Sequence, residues 1–251
     1  MIDNWNAKRY DSLVLPHLRW GAEIVNSLVL NGDETVLDAG AGTGRDTISL
    51  LDRLPSGKVI AIDSSSSMVQ ILRNKTEKYG DRIQIIQSDL TEPFGVVGAC
   101  DAIISVAAFH WVSDHRVLFS NLRSALKPNG VLAADCGGFG NIERVSKAFA
   151  HVTKKNIDPG SIWNFATPES TTQVLRSCGF TDIQVALVDD PAILGSRSEF
   201  EEFLGTVILG AHLINYSFED RKEVVAAVAD KLDSFTIDYV RLKIYARATR
   251  E

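Results

Sequence analysis

The sequence predicts an α/β fold: a doubly wound, seven-stranded, mostly parallel sheet whose last strand is antiparallel, with helical lid insertions. Two observations predict it. In the first half of the chain, short β-rich runs alternate with helical patterns of about ten to fifteen residues, as in βαβ units. Beyond Gly137 the pattern becomes mainly helical, and two late β-rich runs are placed to complete the sheet.

The strands are predicted in order along the chain. Five β-rich runs precede Gly137, at residues 35–37, 58–62, 83–87, 102–106 and 131–135. Turn residues separate helices from the strands that follow: Pro55-Ser56-Gly57, Gly80 and Pro128-Asn129-Gly130. The two late runs, residues 182–188 and 238–248, are predicted to pair antiparallel.

Four helical patterns follow Gly137, at residues 142–155, 168–178, 198–210 and 218–232. We interpret residues 31–136 as a ligand-binding core and residues 1–30 as N-terminal lid helices. Residues 137–251 then hold the helical lid insertions and the last two strands. The lid is expected to contain the determinants of substrate choice.

Composition limits the classes of function. A chain of 251 residues, 45% hydrophobic, can bury one large core. Its net charge of −6 disfavours a nucleic-acid partner. Cys100, Cys136 and Cys178 are far apart, which predicts neither a disulfide framework nor a metal pair and favours a reducing, cytoplasmic location. No signal peptide or membrane-spanning run is predicted, so a membrane partner is not expected. The sequence does not predict an oligomeric state.

The stretch VLDAGAGTG, residues 36–44, joins the first strand to a helix through three alternating glycines. Gly40, Gly42 and Gly44 either allow a sharp turn or let the backbone approach a ligand. A P-loop would need Gly-Lys-Ser/Thr, but Arg45 and Asp46 follow Gly44. A dinucleotide fingerprint would need glycine at position 45. The loop therefore indicates a ligand other than a nucleoside triphosphate or a dinucleotide.

Acidic residues end three successive strands. Asp38 precedes the glycines and suits a ligand with a positive group, such as an ammonium or sulfonium. Asp63 ends the second strand, where a carboxylate can accept hydrogen bonds from ribose, although it also precedes capping serines. Asp89 follows the third strand and is by itself equally typical of a turn. S-adenosylmethionine carries both positive groups and a ribose, so we predict it as the cofactor.

The segments DAGAGTG, AIDSSSSM, IIQSDL, CDAIISVAAFHWV and LKPNGVL, in this order, resemble the class I S-adenosylmethionine-dependent methyltransferases over most of residues 31–135. The resemblance implies a Rossmann-like fold. It also implies contacts to the methionine portion from Asp38, Gly40, Gly42 and Gly44, and to the ribose from Asp63. Ser64 and Met68 would flank the nucleoside, Asp89 and Leu90 would contact the adenine, and Val106, where relatives often carry Asn, would pass under the methionine.

Within that family, WNAKRY, AAFHWVSDH and the two-part lid resemble the trans-aconitate methyltransferases and their small-acid relatives. This resemblance implies that Trp5 and Tyr10 belong to an N-terminal lid that contacts substrate, and that Arg19 reaches the methionine carboxylate. Trp5 and Tyr10 are equally consistent with the packed face of an amphipathic helix.

Methyl transfer requires an aligned acceptor and excluded water rather than many catalytic groups. A carboxylate acceptor needs no base, whereas a hydroxyl acceptor does. His110, beside Trp111, is the candidate base or acceptor-orienting group, although such a histidine is often structural. His115 is expected to help begin a helix. An acid substrate would also favour an arginine fork, for which Arg9, Arg144 and Arg197 are candidates.

The sequence thus predicts a methyltransferase of a small molecule, with a carboxylate oxygen as the favoured acceptor. A phenol, enol or amine methylated with His110 as base is the alternative. A cofactor-binding or scaffold protein without catalysis is the alternative of another class. An NAD(P) oxidoreductase is disfavoured because the loop lacks the third glycine of the dinucleotide fingerprint. SVAAF after the fourth strand lacks the signature of DNA amino-methylating enzymes, and the paired glutamates of protein arginine methylation do not appear in that neighbourhood.

Overall fold

The computed structural model describes residues 17–154 and 162–250. Its helices are α1 His17–Ser27, α2 Arg45–Arg53, α3 Ser66–Thr76, α4 His115–Ala125, α5 Glu143–Thr153, α6 Pro168–Ser177, α7 Arg197–Phe203 and α8 Phe218–Ala229. Its strands are β1 Thr35–Ala39, β2 Lys58–Asp63, β3 Ile83–Gln87, β4 Cys100–Val106, β5 Leu126–Gly137, β6 Phe180–Asp189, β7 Ala192–Ile193, β8 Thr236–Ile237 and β9 Val240–Ala248.

Seven strands form one sheet in the order β3-β2-β1-β4-β5-β9-β6. The five strands β1 to β5 pair in parallel. β9 runs antiparallel between β5 and β6, and β6 is the outer strand beside it. The predicted fold class, including the antiparallel last strand, is confirmed. The carboxyl ends of the parallel strands meet at one edge, where ligands bind in sheets of this kind.

Capping side chains explain where several helices begin. Asp114 Oδ1 accepts hydrogen bonds from the backbone N–H groups of Arg116 and Val117 at the start of α4. Thr167 and Ser170 form a reciprocal capping box at α6, whose first residue is Pro168. These polar side chains satisfy N–H groups that have no partner within the helix, so each start is locally encoded.

Helices cover both faces of the sheet. On one face, α4 and α6 contribute Leu118, Phe119, Leu122 and Leu175 to the largest core cluster. On the other face, α1 and α2 pack Val25, Leu50 and Leu51 against strands β1, β2 and β4. The helical pattern at residues 168–178, predicted as part of the lid, is therefore a sheet-covering helix. Its apolar face packs beside α4, and the chain continues from it directly into β6.

The remaining helices form what we call the cap: α5, α7, the π-helical segment Leu204–Ile208, and α8. They share a second apolar core that includes Phe149, Phe200 and Val228. Trp20 of α1 and Tyr239, just before β9, join this core from the side of the sheet. Within the described ranges, no helix combines the length and apolar character needed to cross a membrane.

Candidate active site

A cavity of about 590 Å³ opens at the carboxyl edge of the parallel strands, between the sheet and the cap. It is lined by the loops after β1, β2, β3 and β4, by the segment that precedes α6, by the π-helical segment of the cap and by the start of β9. The predicted site residues that line it are Gly40, Gly42, Asp63, Ser64, Met68, Asp89, Leu90, Val106, His110 and Trp111.

The three loop glycines differ in what surrounds them. All have positive φ, between +54° and +87°, which disfavours other residues. A Cβ on Gly40 would lie 2.3 Å from the Cβ of Ala108, and one on Gly44 would lie 2.4 Å from Cδ1 of Leu72. A Cβ on Gly42 would meet no atom within 4 Å. Gly40 and Gly44 thus serve internal packing, whereas Gly42 leaves space at the cavity wall.

Asp63 fixes the glycine loop in place. Its Oδ2 accepts the Gly42 N–H at 2.8 Å, and its Oδ1 accepts the Ser65 N–H at 2.9 Å. Burial raises the pKa of this carboxyl, and the backbone donors of Ser65, Gly42 and Ser64 oppose that shift. Each carboxylate oxygen has a second acceptor position, so the group can bind hydroxyls in the cavity while it holds the loop.

Asp89 is a turn residue that also lines the cavity. Its Oδ1 accepts hydrogen bonds from both the N–H and the hydroxyl of Thr91, each at 2.8 Å. Leu90 follows it and, with Met68 of α3, adds apolar surface to this side of the cavity. A carboxylate and apolar side chains are therefore adjacent in this part of the cavity, which suits the polar and apolar parts of a nucleoside.

Asp38 lies behind the loop rather than on the cavity wall. Its side chain is buried, and Oδ2 accepts a hydrogen bond of 2.6 Å from Thr47 Oγ1. Burial, with smaller contributions from Asp46 and Asp63, raises the pKa of Asp38 to about 8. A positive group arriving at the loop would favour the ionised form.

His110 lies in a short 3₁₀ turn after β4, and its tautomer follows from its contacts. Its Nδ1 accepts the backbone N–H of Gly137 at 3.1 Å. The neutral ring therefore carries its hydrogen on Nε2. Accepting a proton at Nδ1 would break the bond to a buried backbone donor. The side chain is consequently better suited to donate a hydrogen bond from Nε2 than to act as a base.

Aromatic rings surround His110 in the cavity. Trp111 and Phe165 lie 5.3 and 5.9 Å from it, and Trp163 stacks on Phe165 at 5.4 Å. Trp163 and Phe165 belong to an irregular segment before α6, so no periodic pattern pointed to them. This part of the cavity is therefore aromatic and largely apolar, which suits a planar acceptor.

Arg241 is a cavity residue that sequence reasoning missed. It is 1% exposed, and its Nε donates to Oδ1 of the equally buried Asp135 at 2.7 Å. The guanidinium carbon lies 3.7 Å from the centre of the Trp20 ring. Among the described residues that line the cavity, Arg241 has the one guanidinium or ammonium group.

The predicted cationic residues within the described ranges lie outside the cavity. Arg19 pairs with Asp190 at 2.5 Å, Arg144 with Asp233, and Arg197 with Glu201 and Asp230. Each of these three arginines is thus paired with a carboxylate outside the cavity. Trp5, Arg9 and Tyr10 lie outside the described residues.

His115 is the first residue of α4, as its predicted place at a helix start requires. Its Nε2 donates to the carbonyl oxygen of Phe109 at 3.0 Å, and burial lowers its pKa. It does not line the cavity. No group of three or more His, Cys, Asp or Glu side chains that could hold a metal ion occurs in residues 17–154 and 162–250.

Comparison with known proteins finds methyltransferases among the similar sequences and structures. Residues 36–130 match a methyltransferase domain family. An uncharacterized methyltransferase of Schizosaccharomyces pombe is 26% identical and covers 89% of this chain and 86% of its own. A malonyl-[acyl-carrier protein] O-methyltransferase of Priestia megaterium is 28% identical over 68% of this chain and 64% of its own. A trans-aconitate 2-methyltransferase of Escherichia coli is 32% identical over 53% of this chain and 50% of its own, so this chain spans only half of that relative.

Among solved structures, a phosphoethanolamine N-methyltransferase of Haemonchus contortus in complex with S-adenosylhomocysteine is similar in fold. Its TM-score is 0.63 at 17% identity, over 93% of this chain and 53% of its own. The glycine loop with acids at successive strand ends, the sheet order and the matching domain agree with one another. Residues 36–130 therefore form a methyltransferase domain, and the chain is similar in sequence and fold to the class I S-adenosylmethionine-dependent methyltransferases.

Proposed function

We propose that this chain methylates a carboxylate oxygen of a small molecule. The observation that carries the proposal is the hydrogen bond that His110 Nδ1 accepts from the Gly137 N–H, because it leaves the ring hydrogen on Nε2 and so suits the side chain to donate rather than to take a proton. A carboxylate is already ionised at neutral pH and needs no base, whereas a phenol or ammonium acceptor must lose a proton.

The cofactor fits the side formed by the strand loops. Asp63 would accept hydrogen bonds from the ribose, and Ser64 and Met68 would flank the nucleoside. Asp89 and Leu90 would contact the adenine, and the space at Gly42 would admit the methionine portion past Gly40 and Val106. Asp38 would balance the positive charge from behind the loop. When bound, S-adenosylmethionine would supply an electrophilic methyl group: the acceptor oxygen would bond to the methyl carbon as the carbon–sulfur bond breaks, and S-adenosylhomocysteine would be the leaving group.

The chain's own residues then align the acceptor. Trp111, Trp163 and Phe165 would pack against a flat acid. His110 would donate a hydrogen bond from Nε2 to one carboxylate oxygen, which leaves the other to attack. The cap would cover the cavity and exclude water, which strengthens these polar interactions. Alignment and desolvation, rather than proton transfer, would supply the rate enhancement.

The test is methyl transfer from labelled S-adenosylmethionine to matched acceptors. The panel contains trans-aconitate, planar aromatic monocarboxylates, and phenols and amines on the same ring skeletons. We expect a labelled product only with acids, and we expect base to release the label because methyl esters hydrolyse. A base-stable product from a phenol or amine would contradict the carboxylate proposal and favour the alternative with a base.

A further outcome concerns catalysis itself. If S-adenosylhomocysteine binds but no acceptor in the panel is methylated, the alternative of a cofactor-binding protein without catalysis gains support. Asp63→Ala serves as a control for cofactor binding, since the variant lacks the proposed ribose contact. With S-adenosylmethionine below saturation, transfer by this variant should fall in proportion to its weaker cofactor affinity.

A further inference from the structure

Arg241 is a buried cation whose hydrogen-bonding capacity is only partly used. A guanidinium group has five N–H donors, and two of them bond to Asp135: Nε to Oδ1 at 2.7 Å, and Nη2 to the main-chain oxygen at 3.2 Å. The described residues form no other hydrogen bond with Arg241. Three donors are therefore left on a side chain that lines the cavity. Buried donors of this kind normally meet an acceptor.

The neighbours of Arg241 hold its guanidinium plane in a fixed position. Trp20 lies against it at 3.7 Å, and the Tyr239 ring is 5.9 Å away. Trp20 is itself held by a hydrogen bond of 2.5 Å from Nε1 to Asp190. Because the group is already ordered, a ligand would not have to immobilise a flexible side chain.

Asp135 does not occupy the whole guanidinium group. The carboxylate engages Arg241 through Oδ1 alone, and Oδ2 is buried without a hydrogen-bond partner in the described structure. Lys243 Nζ lies 4.0 Å from Oδ2, so the negative charge of Asp135 is shared between two cations. The pair is thus not the closed, two-bond arrangement that a carboxylate and an arginine often form. Nη1 and one hydrogen of Nη2 remain to bind a second anion.

We propose that Arg241 binds a carboxylate group of a ligand in the cavity. Two ligands could present one: the amino-acid end of the cofactor and, if the proposed function is correct, the acid acceptor. Only the second source depends on the proposed function. In either case the residue fixes the position of a ligand along the cavity and favours ligands with a carboxylate at that end.

The test compares two cofactor fragments by calorimetric titration of the whole protein. S-adenosylhomocysteine has the amino-acid carboxylate, whereas 5′-methylthioadenosine keeps the adenine, ribose and thioether without it. The variants are Arg241→Gln and the double variant Asp135→Asn with Arg241→Gln. The second removes both charges of the buried pair, so it serves if the single variant fails to fold. Arg144→Gln, which lies outside the cavity, is the matched control.

If the cofactor is the source, the wild-type preference for S-adenosylhomocysteine over 5′-methylthioadenosine should fall by about tenfold to hundredfold in the Arg241 variants. If the acceptor is the source, that preference should be unchanged. The affinity of carboxylic acids from the acceptor panel, titrated with S-adenosylhomocysteine present, should then fall by the same factor. The control should match the wild type in both titrations.

The proposal is overturned if the cofactor preference is unchanged and no acid binds the wild type more tightly than the folded variants. This result is separate from failure of the proposed function. A protein that methylates no acid would still lose its preference for S-adenosylhomocysteine if Arg241 binds the cofactor. An enzyme that methylates acids equally well with and without Arg241 would keep the proposed function and lose this inference.

Discussion

The hydroxyl of Thr47 lies 2.6 Å from Oδ2 of Asp38, and it is the side-chain donor to that buried carboxylate. The hydroxyl and the backbone N–H of Thr47 compensate only partly for burial, so the pKa of Asp38 rises to about 8. The ionised form of Asp38 therefore lowers the stability of the cofactor-free protein. A positive group bound at the glycine loop would stabilise the ionised carboxylate.

The first prediction concerns stability and pH. The carboxyl of Asp38 titrates near pH 4 in the unfolded chain and near 8 in the folded protein, so the folded state binds more protons between these values. Asp38 should therefore make the free energy of unfolding fall as the pH rises from about 4 to about 8. Asp38→Asn should flatten this dependence and raise the melting temperature of the cofactor-free protein most at pH 8.

Thermal unfolding from pH 5 to 9 measures this effect, and each kcal/mol should change the melting temperature by about 2–4 °C. Asp52→Asn is the control, because Asp52 bonds to the Tyr79 hydroxyl away from the cavity. Profiles of wild type and Asp38→Asn that run parallel over the whole range would contradict the assignment.

The second prediction separates the loop glycines. Gly40→Ala would push a methyl group to 2.3 Å from the Ala108 Cβ, so we expect a loss of about 2–4 kcal/mol in the free energy of unfolding. Gly42→Ala meets no atom and should cost only the backbone strain of about 1–2 kcal/mol. It should nevertheless weaken S-adenosylhomocysteine binding, because its methyl group enters the space at the cavity wall.

Denaturant unfolding measures the stability of both variants, and calorimetric titration measures their affinity for S-adenosylhomocysteine. The expected pattern is a strongly destabilised Gly40→Ala and a stable Gly42→Ala with poor cofactor affinity. A stable Gly42→Ala that binds S-adenosylhomocysteine as tightly as the wild type would remove Gly42 from the cofactor site.

The third prediction concerns Asp63. Asp63→Ala should weaken S-adenosylhomocysteine binding by about 1.5–3 kcal/mol, because charge-assisted hydrogen bonds to the ribose would be lost. The variant also releases the Gly42 and Ser65 N–H groups, so their amide hydrogen exchange should accelerate. Unchanged affinity in a folded variant would show that Asp63 only holds the loop.

The fourth prediction tests the tautomer of His110. In His110→Asn, the side-chain oxygen can take the place of Nδ1 and accept the Gly137 N–H, while the Nε2 donor is lost. We expect kcat/KM to fall by about tenfold, with the shape of its pH profile retained. A fall of about 10²–10⁴ together with loss of the acidic limb would instead identify a general base. His151→Asn, an exposed histidine of α5, is the control.

Local signals were sufficient for most of the fold. All seven sheet strands overlap predicted β-rich runs, because strand sequences here are short, apolar and bounded by turn residues. The start of β5 was predicted wrongly: the strand begins at Leu126 and includes Pro128-Asn129-Gly130, which were predicted as a turn. The helix at 168–178 was located correctly but placed in the lid, since amphipathicity gives a buried face without identifying what covers it. Only the topology decides whether such a helix faces the sheet or the cap.

The candidate site divides in the same way. Residues at the ends of β1 to β4 could be predicted because parallel strands bring their carboxyl ends to one edge. Arg241 could not, because an arginine near the start of a strand ordinarily indicates a solvent-exposed position. Its burial depends on the insertion of β9 between β5 and β6. Since β9 runs antiparallel, its first residues lie at the edge at which the parallel strands end. The antiparallel direction of β9 was therefore the signal that could have identified Arg241 as a cavity residue.

The insertion of β9 also imposes an order on assembly. β6 precedes β9 in the chain, yet β9 is its neighbour in the sheet. During synthesis, β5 and β6 are therefore both made before β9, the strand that pairs with each of them. Until β9 is in place their edges are unpaired, which favours aggregation. The same late event brings Arg241 to the cavity. A nascent chain halted before β9 would have its glycine loop and acids in sequence, but it would lack the sheet's closing strand and one wall of the site.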